Sequence, residues 1–130
     1  MIVLDASALT DALIDDGPVG ESARAHLRAD PQWAAPAHLL VEVVSAIRGA
    51  ALGGKVGAVR AGEAIAALPQ LVIVQIGAAQ LVDRMWELRG NLSPYDAAYV
   101  AAAETLDCPL VTGDARLAKT GGIRCEVRVL

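Results

Sequence analysis

The sequence has very few aromatic residues. Phenylalanine is absent, and two tryptophans and two tyrosines bring the aromatic content to 3% of 130 residues, although 55% of the residues are hydrophobic. The core must therefore be built from alanine, valine, leucine and isoleucine. This composition excludes a disordered chain. The length predicts one compact domain over residues 1–130.

Cysteine and histidine are equally scarce. The chain has two cysteines, Cys108 and Cys125, and two histidines. The cysteines do not have the spacing of metal ligands, so a zinc site is not expected. The N-terminal apolar residues have no basic flank, and no apolar run approaches about 18 residues. We therefore expect no signal peptide, no membrane contact, a cytoplasmic location and reduced thiols.

Basic residues are outnumbered by acidic ones, with a formal net charge of 11 − 15 = −4. This balance argues against a broadly basic nucleic-acid binder. The charge is unevenly distributed, because residues 1–47 have a balance of 2 − 7 = −5 and residues 48–130 have a balance of 9 − 8 = +1. Several bases are candidates for phosphate contacts, with an ordinary solvated surface as the alternative. These bases are Arg48, Lys55, Arg60, Arg116 and Lys119.

Short apolar runs alternate with segments of helical periodicity. The runs predict strands at residues 2–4, 33–36, 71–76, 109–112 and 125–129. The segments between them predict helices at residues 6–14, 19–29, 38–52, 56–68, 78–89, 94–106 and 115–119. The run at 71–76 is continuously apolar, which is typical of a strand covered on both faces. The alternation predicts an α/β fold, a three-layer α/β/α domain with a mostly parallel central sheet.

One segment resembles the start of a phosphate-binding P-loop, with Gly49, Gly54 and Lys55 at the required spacing. Val56 stands where a P-loop needs serine or threonine, and the glycines follow a predicted helix rather than a strand. We therefore interpret this segment as a turn that ends a helix. No Gly-x-Ser-x-Gly sequence supports a serine hydrolase. Ser7 stands where an aspartyl-phosphate phosphatase needs its second aspartate.

Four acidic residues stand where a parallel sheet gathers functional groups. The carboxyl ends of parallel strands, and the helix starts beyond them, converge on one crevice. The four are Asp5 after the first predicted strand, Glu42 inside the third helix, Asp96 in the first turn of the sixth helix, and Asp114 after the fourth strand. We predict that these four carboxylates share one pocket.

Each of the four also has a purely structural interpretation. Asp5 and Asp114 are suited to cap the helices that follow them. Ser93 and Asp96 form the Ser-x-x-acid pattern of a capping box, although Asp96 shares its helix face with apolar residues that disfavour an unpartnered carboxylate. Glu42, taken alone, is an ordinary solvated residue.

A cluster of carboxylates requires protons or a cation. Two carboxylates about 5 Å apart repel by roughly 3 kcal/mol at an effective dielectric constant near 20. Oxygen ligands without histidine or cysteine favour Mg²⁺ or Mn²⁺. Such an ion activates water and stabilises charge on a phosphate, so phosphodiester hydrolysis is the chemistry that the cluster predicts.

Four segments resemble, in order, the motifs of PIN-domain ribonucleases. They are residues 3–9 (VLDASAL), 40–43 (LVEV), 92–97 (LSPYDA) and 110–117 (LVTGDARL). The resemblance extends over essentially the whole chain, and the small size is similar to that of VapC-type toxins of bacterial type II toxin–antitoxin pairs.

The resemblance implies a metal-dependent endoribonuclease. The resemblance implies that Asp5 and Asp96 are the most direct Mg²⁺ ligands in this enzyme, and that Mn²⁺ can substitute. Glu42 and Asp114 would complete the catalytic and metal site. The resemblance further implies that Ser7 and Thr112 orient carboxylates by hydrogen bonds. It also implies an RNA substrate, a homodimer, and a VapB-type antitoxin that inserts a segment near the active site.

Some relatives have a further acid soon after the last motif, where this chain has Ala115, Arg116 and Leu117. The number of metal ions is therefore left open.

Two other functions remain open from the sequence. A receiver-like signalling domain is also α/β and binds Mg²⁺, but it needs an acid pair after the first strand and a lysine after a late strand, and Lys119 lies too far beyond Thr112. A catalytically silent module that binds RNA or protein would have the same fold. Trp33 and Trp86 are candidates for base stacking, but we expect them to pack against the protein.

Overall fold

The computed structural model describes all of residues 1–130. Its elements in chain order are β1 (Ile2–Leu4), α1 (Ala6–Ile14), α2 (Pro18–Ala29), β2 (Trp33–Pro36), α3 (Leu39–Leu52), α4 (Ala58–Ala67), β3 (Ile73–Ile76), α5 (Val82–Glu87), α6 (Pro94–Thr105), β4 (Leu110–Thr112) and β5 (Val127–Val129). The ends of these elements agree with the sequence prediction to within two residues, except for the helices predicted at 78–89 and 115–119.

The five strands form one sheet in which all neighbours are parallel, in the order β3-β2-β1-β4-β5. With helices flanking the sheet, this confirms the predicted three-layer α/β/α architecture. The strand order reverses between β1 and β4, and ligands bind at the carboxyl ends of strands beside such a reversal. Leu4 pairs with Val111 at this point. Asp5 and Thr112, the next residues along the two strands, therefore lie at the same edge of the sheet.

Helix α6 lies in the core and is built mainly from small residues. All seven positions 97–103 are buried, and five of them are alanine. The helix contacts β1, β2 and β4. Alanine side chains allow a helix to approach a sheet closely, so a sequence with few aromatic residues still fills its interior.

Helices α1 and α2 approach each other closely where they are joined. A β-carbon placed on Gly20 of α2 would lie 1.9 Å from the backbone oxygen of Asp15. Arg24 then donates hydrogen bonds to the carbonyl oxygens of Ala12 and Asp15, at 3.2 and 2.8 Å. The missing side chain at Gly20 therefore sets the distance between the two helices.

The helix predicted at 78–89 is interrupted. A 3₁₀ turn (Ala78–Gln80) is followed by the short helix α5, with Leu81 between them. Leu81 and Leu88 are buried and Met85 is partly buried, so the predicted apolar face is present. The prediction of one continuous helix was therefore wrong. Leu81, which ends the 3₁₀ turn and precedes α5, has its side chain buried in the core. The helix predicted at 115–119 is likewise only a 3₁₀ turn (Leu117–Lys119).

Strand β3 is not covered on both faces, contrary to the sequence interpretation. It is an edge strand, paired only with β2. Val72, just before the strand, is 87% exposed, and Val74 within it is also exposed, whereas Ile76 is buried. The helices thus cover only part of this edge of the sheet. An apolar run in the sequence does not show whether both faces of its strand are covered.

No helix in the structure combines the length and the apolar character needed to cross a membrane.

Candidate active site

Asp5, the first of the four candidate carboxylates, lies directly after β1 and at the N-cap of α1. Its side chain is nearly buried and accepts hydrogen bonds on both oxygens. Oδ1 accepts from the Ser7 hydroxyl at 2.6 Å and from the Ala8 backbone N–H at 2.8 Å, and Oδ2 accepts a hydrogen bond from the Thr112 hydroxyl. Three donors therefore fix the orientation of this carboxylate, as the sequence predicted for Ser7 and Thr112.

The surroundings of Asp5 raise its pKa. Burial has the largest effect, and the hydrogen bonds from Ser7, Thr112 and Ala8 oppose it by stabilising the anion. The negative charge of Asp96 adds a further increase. Asp5 is thus a carboxylate that is already oriented but electrostatically unfavourable, a state that a nearby cation relieves.

Thr112 and Ser7 also connect Asp5 to the loop after β4. The Thr112 hydroxyl accepts from the backbone N–H of Asp114 at 2.9 Å, and the Ser7 hydroxyl accepts from that of Gly113 at 2.8 Å. A β-carbon on Gly113 would lie 3.1 Å from the Ser7 hydroxyl oxygen. The absence of a side chain at Gly113 therefore permits this close approach.

Asp114 is paired with a base rather than left as a helix cap. The Arg116 guanidinium binds both carboxylate oxygens, with Nε at 3.0 and 3.1 Å and Nη2 at 2.6 Å, and the Arg116 backbone N–H donates at 2.9 Å. These bonds hold the pKa of Asp114 below its usual value. The Arg116 side chain is 86% exposed, so most of it faces solvent beside the site.

Asp96 lies in the first turn of α6, where the Ser93 hydroxyl accepts a hydrogen bond from its backbone N–H at 3.2 Å. The predicted cap is therefore present. Burial raises the pKa of Asp96, and the charges of Asp114 and Glu42 raise it further. The negative charge of Asp96 in turn raises the pKa of Asp5. Asp96 is therefore the carboxylate that interacts electrostatically with each of the other three.

Glu42 projects from α3 and is not a fully solvated residue. Its Oε2 accepts a hydrogen bond of 2.5 Å from the Tyr99 hydroxyl. Burial and this hydrogen bond strongly raise the pKa of Tyr99. His38 Nε2 lies 3.7 Å from the same oxygen, and the His38 ring packs edge-on against Tyr99. The Tyr99 hydroxyl thus holds Glu42 at the edge of the site, with the His38 ring beside it.

The charges of Asp114 and Glu42 act on Asp96, and that of Asp96 acts on Asp5, but the four carboxylates are not gathered tightly. No group of three or more histidine, cysteine, aspartate or glutamate side chains is arranged to hold a metal ion. A cavity of about 330 Å³ contains Asp96 and Asp114 but neither Asp5 nor Glu42; it is lined by Asn91, Leu92, Ser93, Asp96, Asp114, Arg116, Leu117 and Thr120. The structure thus places Asp96 and Asp114 in one cavity, with Asp5 and Glu42 as their electrostatic neighbours.

A second cavity of about 280 Å³ adjoins the first, since Leu92 lines both. Trp86 lines it and is 67% exposed, so the expectation that this tryptophan is packed was wrong. The Arg89 guanidinium carbon lies 4.6 Å from the centre of the indole ring, and its Nη1 donates to the Trp86 carbonyl oxygen at 2.9 Å. Trp33, in contrast, is partly buried and donates from its indole N–H to the Asp30 carbonyl oxygen.

Two contributors to the site were not assigned a role from the sequence. Tyr99 is the first, because it holds Glu42. Asp11 is the second, because burial and the charges of Asp15 and Asp5 raise its pKa. The spacing of four residues between Ser7 and Asp11 places both on one face of α1 and was the available signal. The contact of Tyr99 with Glu42 spans 57 residues and left no local signal in the sequence.

Comparisons with known proteins show which family this chain resembles. Residues 2–123 match the PIN domain family. Ribonuclease VapC9 of Mycobacterium tuberculosis is 39% identical over 131 aligned positions, covering 100% of this chain and 98% of the relative. Ribonuclease VapC1 of the same species is also 39% identical, covering 98% of this chain and 96% of the relative.

Solved structures share the fold. A crystal structure of M. tuberculosis VapC20, described as a Sarcin-Ricin loop cleaving toxin, has a TM-score of 0.68 at 20% identity and covers 95% of this chain and 97% of its own. VapBC2 from Rickettsia felis, bound to a DNA fragment from its promoter, has a TM-score of 0.65 at 15% identity, covering 98% of this chain and 99% of its own. The chain belongs to the PIN-domain family and, within it, to the VapC ribonucleases.

Proposed function

We propose that this protein is a metal-dependent endoribonuclease and the toxin of a type II toxin–antitoxin pair. Its full-length similarity to VapC ribonucleases supports the proposal. The observation that carries it is the environment of Asp5, which three donors orient at the reversal of the strand order, within the electrostatic field of Asp96. Hydrolysis of RNA phosphodiester bonds by activated water is the reaction.

The cation is Mg²⁺, with Mn²⁺ as a substitute. The donor set fits these ions, because they prefer carboxylate oxygens and because mutual repulsion contributes to the raised pKa values of Asp5 and Asp96. Asp5 and Asp96 would be the most direct ligands, with Glu42 and Asp114 completing the set. When bound, the ion supplies activated water and stabilises charge on the phosphate.

The remaining side chains position the carboxylates. Ser7 and Thr112 fix Asp5, while Tyr99 fixes Glu42. Arg116 neutralises Asp114 and extends into solvent, where its guanidinium is available to a phosphate oxygen. Arg116 thus binds the Asp114 carboxylate in the free protein and a phosphate of the RNA backbone when the substrate is bound.

The RNA strand extends from the acidic cavity into the Trp86 cavity. The two share Leu92, so a strand with its scissile phosphate near Asp96 passes the exposed indole. An unpaired base stacks on such a ring, and Arg89 adds a positive charge beside it. The net charge of −4 does not oppose this binding, because four of the acids belong to the site and 11 − (15 − 4) = 0 remains elsewhere.

The protein acts in the cytoplasm as a homodimer and is held inactive by a VapB-type antitoxin that inserts a segment near the active site. The related structure from Rickettsia felis is described as VapBC2 bound to a DNA fragment from its promoter. Exposed apolar side chains are available for such partners on α3 (Val41 and Val44), just before β3 (Val72) and within β3 (Val74). Sedimentation of the purified protein, alone and after co-expression with its neighbouring gene product, tests both assemblies.

Cleavage assays test the proposed reaction. Structured and single-stranded RNAs are incubated with the protein in Mg²⁺, Mn²⁺ or EDTA, beside Asp5→Asn and the matched exposed control Asp83→Asn. We expect metal-dependent internal cleavage that Asp5→Asn abolishes and Asp83→Asn preserves. Cleavage that persists in EDTA, or an active Asp5→Asn protein, contradicts the proposal. Tight RNA binding without any cleavage would instead identify a silent binding module.

A further inference from the structure

The two cysteines lie at corresponding positions, each two residues before a strand of the β4–β5 pair. In the β4–β5 ladder, Leu110 pairs with Val127, Val111 with Arg128 and Thr112 with Val129, a constant offset of 127 − 110 = 17 residues. Cys108 and Cys125 have the same offset, 125 − 108 = 17, two positions before the first pair. The hydrogen bond from the Leu110 N–H to the Glu126 carbonyl oxygen, at 2.9 Å, extends the ladder towards them.

The cysteine side chains also meet the same surroundings. Continuing the alternation of side chains along each strand would place Cys108 on the face of Leu110 and Cys125 on the face of Val127. Both cysteines pack against the same hydrophobic cluster as those two residues. They also line one open cavity of about 380 Å³ and are partly exposed, so a small reagent can reach them.

This placement suits a covalent bond. Strands β4 and β5 are neighbours in the sheet, where adjacent strands lie about 4.8 Å apart, and a disulfide needs α-carbons about 4.4–6.8 Å apart. Both cysteines lie just outside the regular strands, where the backbone can adjust to the remaining requirements on the side chains. We propose that Cys108 and Cys125 are a thiol pair that closes reversibly into an intramolecular disulfide.

The oxidant is a small-molecule disulfide such as oxidised glutathione. One cysteine thiolate attacks it, forming a mixed disulfide and releasing one reduced glutathione. The second cysteine then attacks the protein sulfur of the mixed disulfide, forming the Cys108–Cys125 bond and releasing the second glutathione. The two protein thiols are oxidised by two electrons, and their two protons end on the two glutathione thiols.

Closing the bond would act on the candidate site. The ring would enclose residues 108–125, which include Asp114 and Arg116. It would fasten the start of β5 to the start of β4 and limit the opening of the loop that carries those residues. It would also stabilise the fold, because it restricts the unfolded chain. The inference does not depend on RNA cleavage.

The test is a redox titration of the full-length protein. Burial raises the pKa of both thiols, that of Cys125 to about 11, so the exchange is run at mildly alkaline pH and for hours. After acid quenching and alkylation, intact mass and peptide mapping identify the products. We expect a monomer that has lost two hydrogen atoms and yields one peptide linked through Cys108 and Cys125. Cys108→Ser and Cys125→Ser should each give only the mixed disulfide.

A thermal melt provides the second readout. The oxidised wild type should unfold several degrees above the reduced form, while the Cys108→Ser/Cys125→Ser protein should be indifferent to glutathione. Two stable mixed disulfides on one chain, disulfide-linked dimers, or linkage only in denaturant would each overturn the proposal.

Discussion

The Tyr99 hydroxyl donates a 2.5 Å hydrogen bond to Glu42, across a sequence separation of 57 residues. Tyr99 belongs to the buried face of α6, and Glu42 belongs to α3. The bond therefore joins a residue of the core to a carboxylate at the rim of the candidate site.

Replacing Tyr99 with phenylalanine should release Glu42. We expect a loss of about 1 kcal/mol in the free energy of unfolding, the value of a hydrogen bond to a partly exposed acceptor. RNA cleavage should slow about tenfold, through turnover rather than RNA affinity. Denaturant titration and cleavage kinetics measure the two effects. Tyr95→Phe, at an exposed position of the same helix, is the control and should change neither.

Thr112→Val should damage the site more severely. The change removes a donor to Asp5 and an acceptor for the Asp114 backbone N–H at a buried position. Leaving buried polar groups without partners costs about 1–3 kcal/mol. Thr112→Ser keeps the hydroxyl and should retain most RNA cleavage, although it loses a methyl group. If Thr112→Val cleaved RNA as well as Thr112→Ser does, the orientation of Asp5 would not depend on this hydroxyl.

Gly20→Ala should destabilise the fold by about 2–3 kcal/mol, because the new β-carbon would overlap the Asp15 backbone and force α1 and α2 apart. Gly62→Ala in α4 is the matched control, since no atom lies within 4 Å of its added β-carbon. That change should stabilise the protein by about 0.5–1 kcal/mol through helix propensity. Equal effects in denaturant unfolding would contradict the close helix approach.

The ion pair between Glu104 and Arg84 should make stability depend on pH. Burial raises the pKa of Glu104, but bonds from Arg84 at 2.6 and 3.1 Å and from the Arg124 backbone N–H at 2.8 Å outweigh it, so the net pKa is lowered. A carboxyl with a lowered folded-state pKa contributes stability above its ordinary pKa of 4.5, and that contribution is lost as the pH falls through the lower folded value.

Comparison with Glu104→Gln measures this contribution. The wild type should be more stable than the variant at neutral pH, and the difference should shrink as the pH falls below about 4.5. The exposed substitution Glu63→Gln should show no comparable trend. A difference that stays constant down to acid pH would mean that the carboxylate charge is not the cause.

Trp86→Ala should weaken the binding of single-stranded RNA by about 5- to 150-fold, the range for loss of a base-stacking ring. Binding is measured in EDTA, so that cleavage does not interfere. In Trp33→Phe the only tryptophan is Trp86, and RNA should quench its fluorescence; in Trp86→Phe the remaining Trp33 should not respond. Unchanged RNA affinity combined with a shifted oligomeric state would identify the cavity as a protein interface instead.

The sequence predicted much of the fold because its signals were local. Asp5 directly after a short β-branched run, and Ser93 before Pro94, marked a strand end and a helix start that the structure confirms. The exposure of Val72 and the break at Leu81 depend on which elements lie alongside, and no local pattern records that. The four candidate carboxylates were selected from the sequence, but the pairing of Asp114 with Arg116 and of Glu42 with Tyr99 required the structure.

The hydrogen bond between Thr112 and Asp5 spans 107 residues. The carboxylate of Asp5, directly after β1, therefore gains its hydrogen bond from Thr112 only after β4 has formed. Likewise, β1 has both of its neighbouring strands only when β4 is available to pair with it. During synthesis on the ribosome, a nascent chain that stops before residue 112 contains Asp5, Ser7 and Ala8 but lacks the hydroxyl that binds the second carboxylate oxygen of Asp5. Completion of the site is thus one of the last events in the production of the molecule.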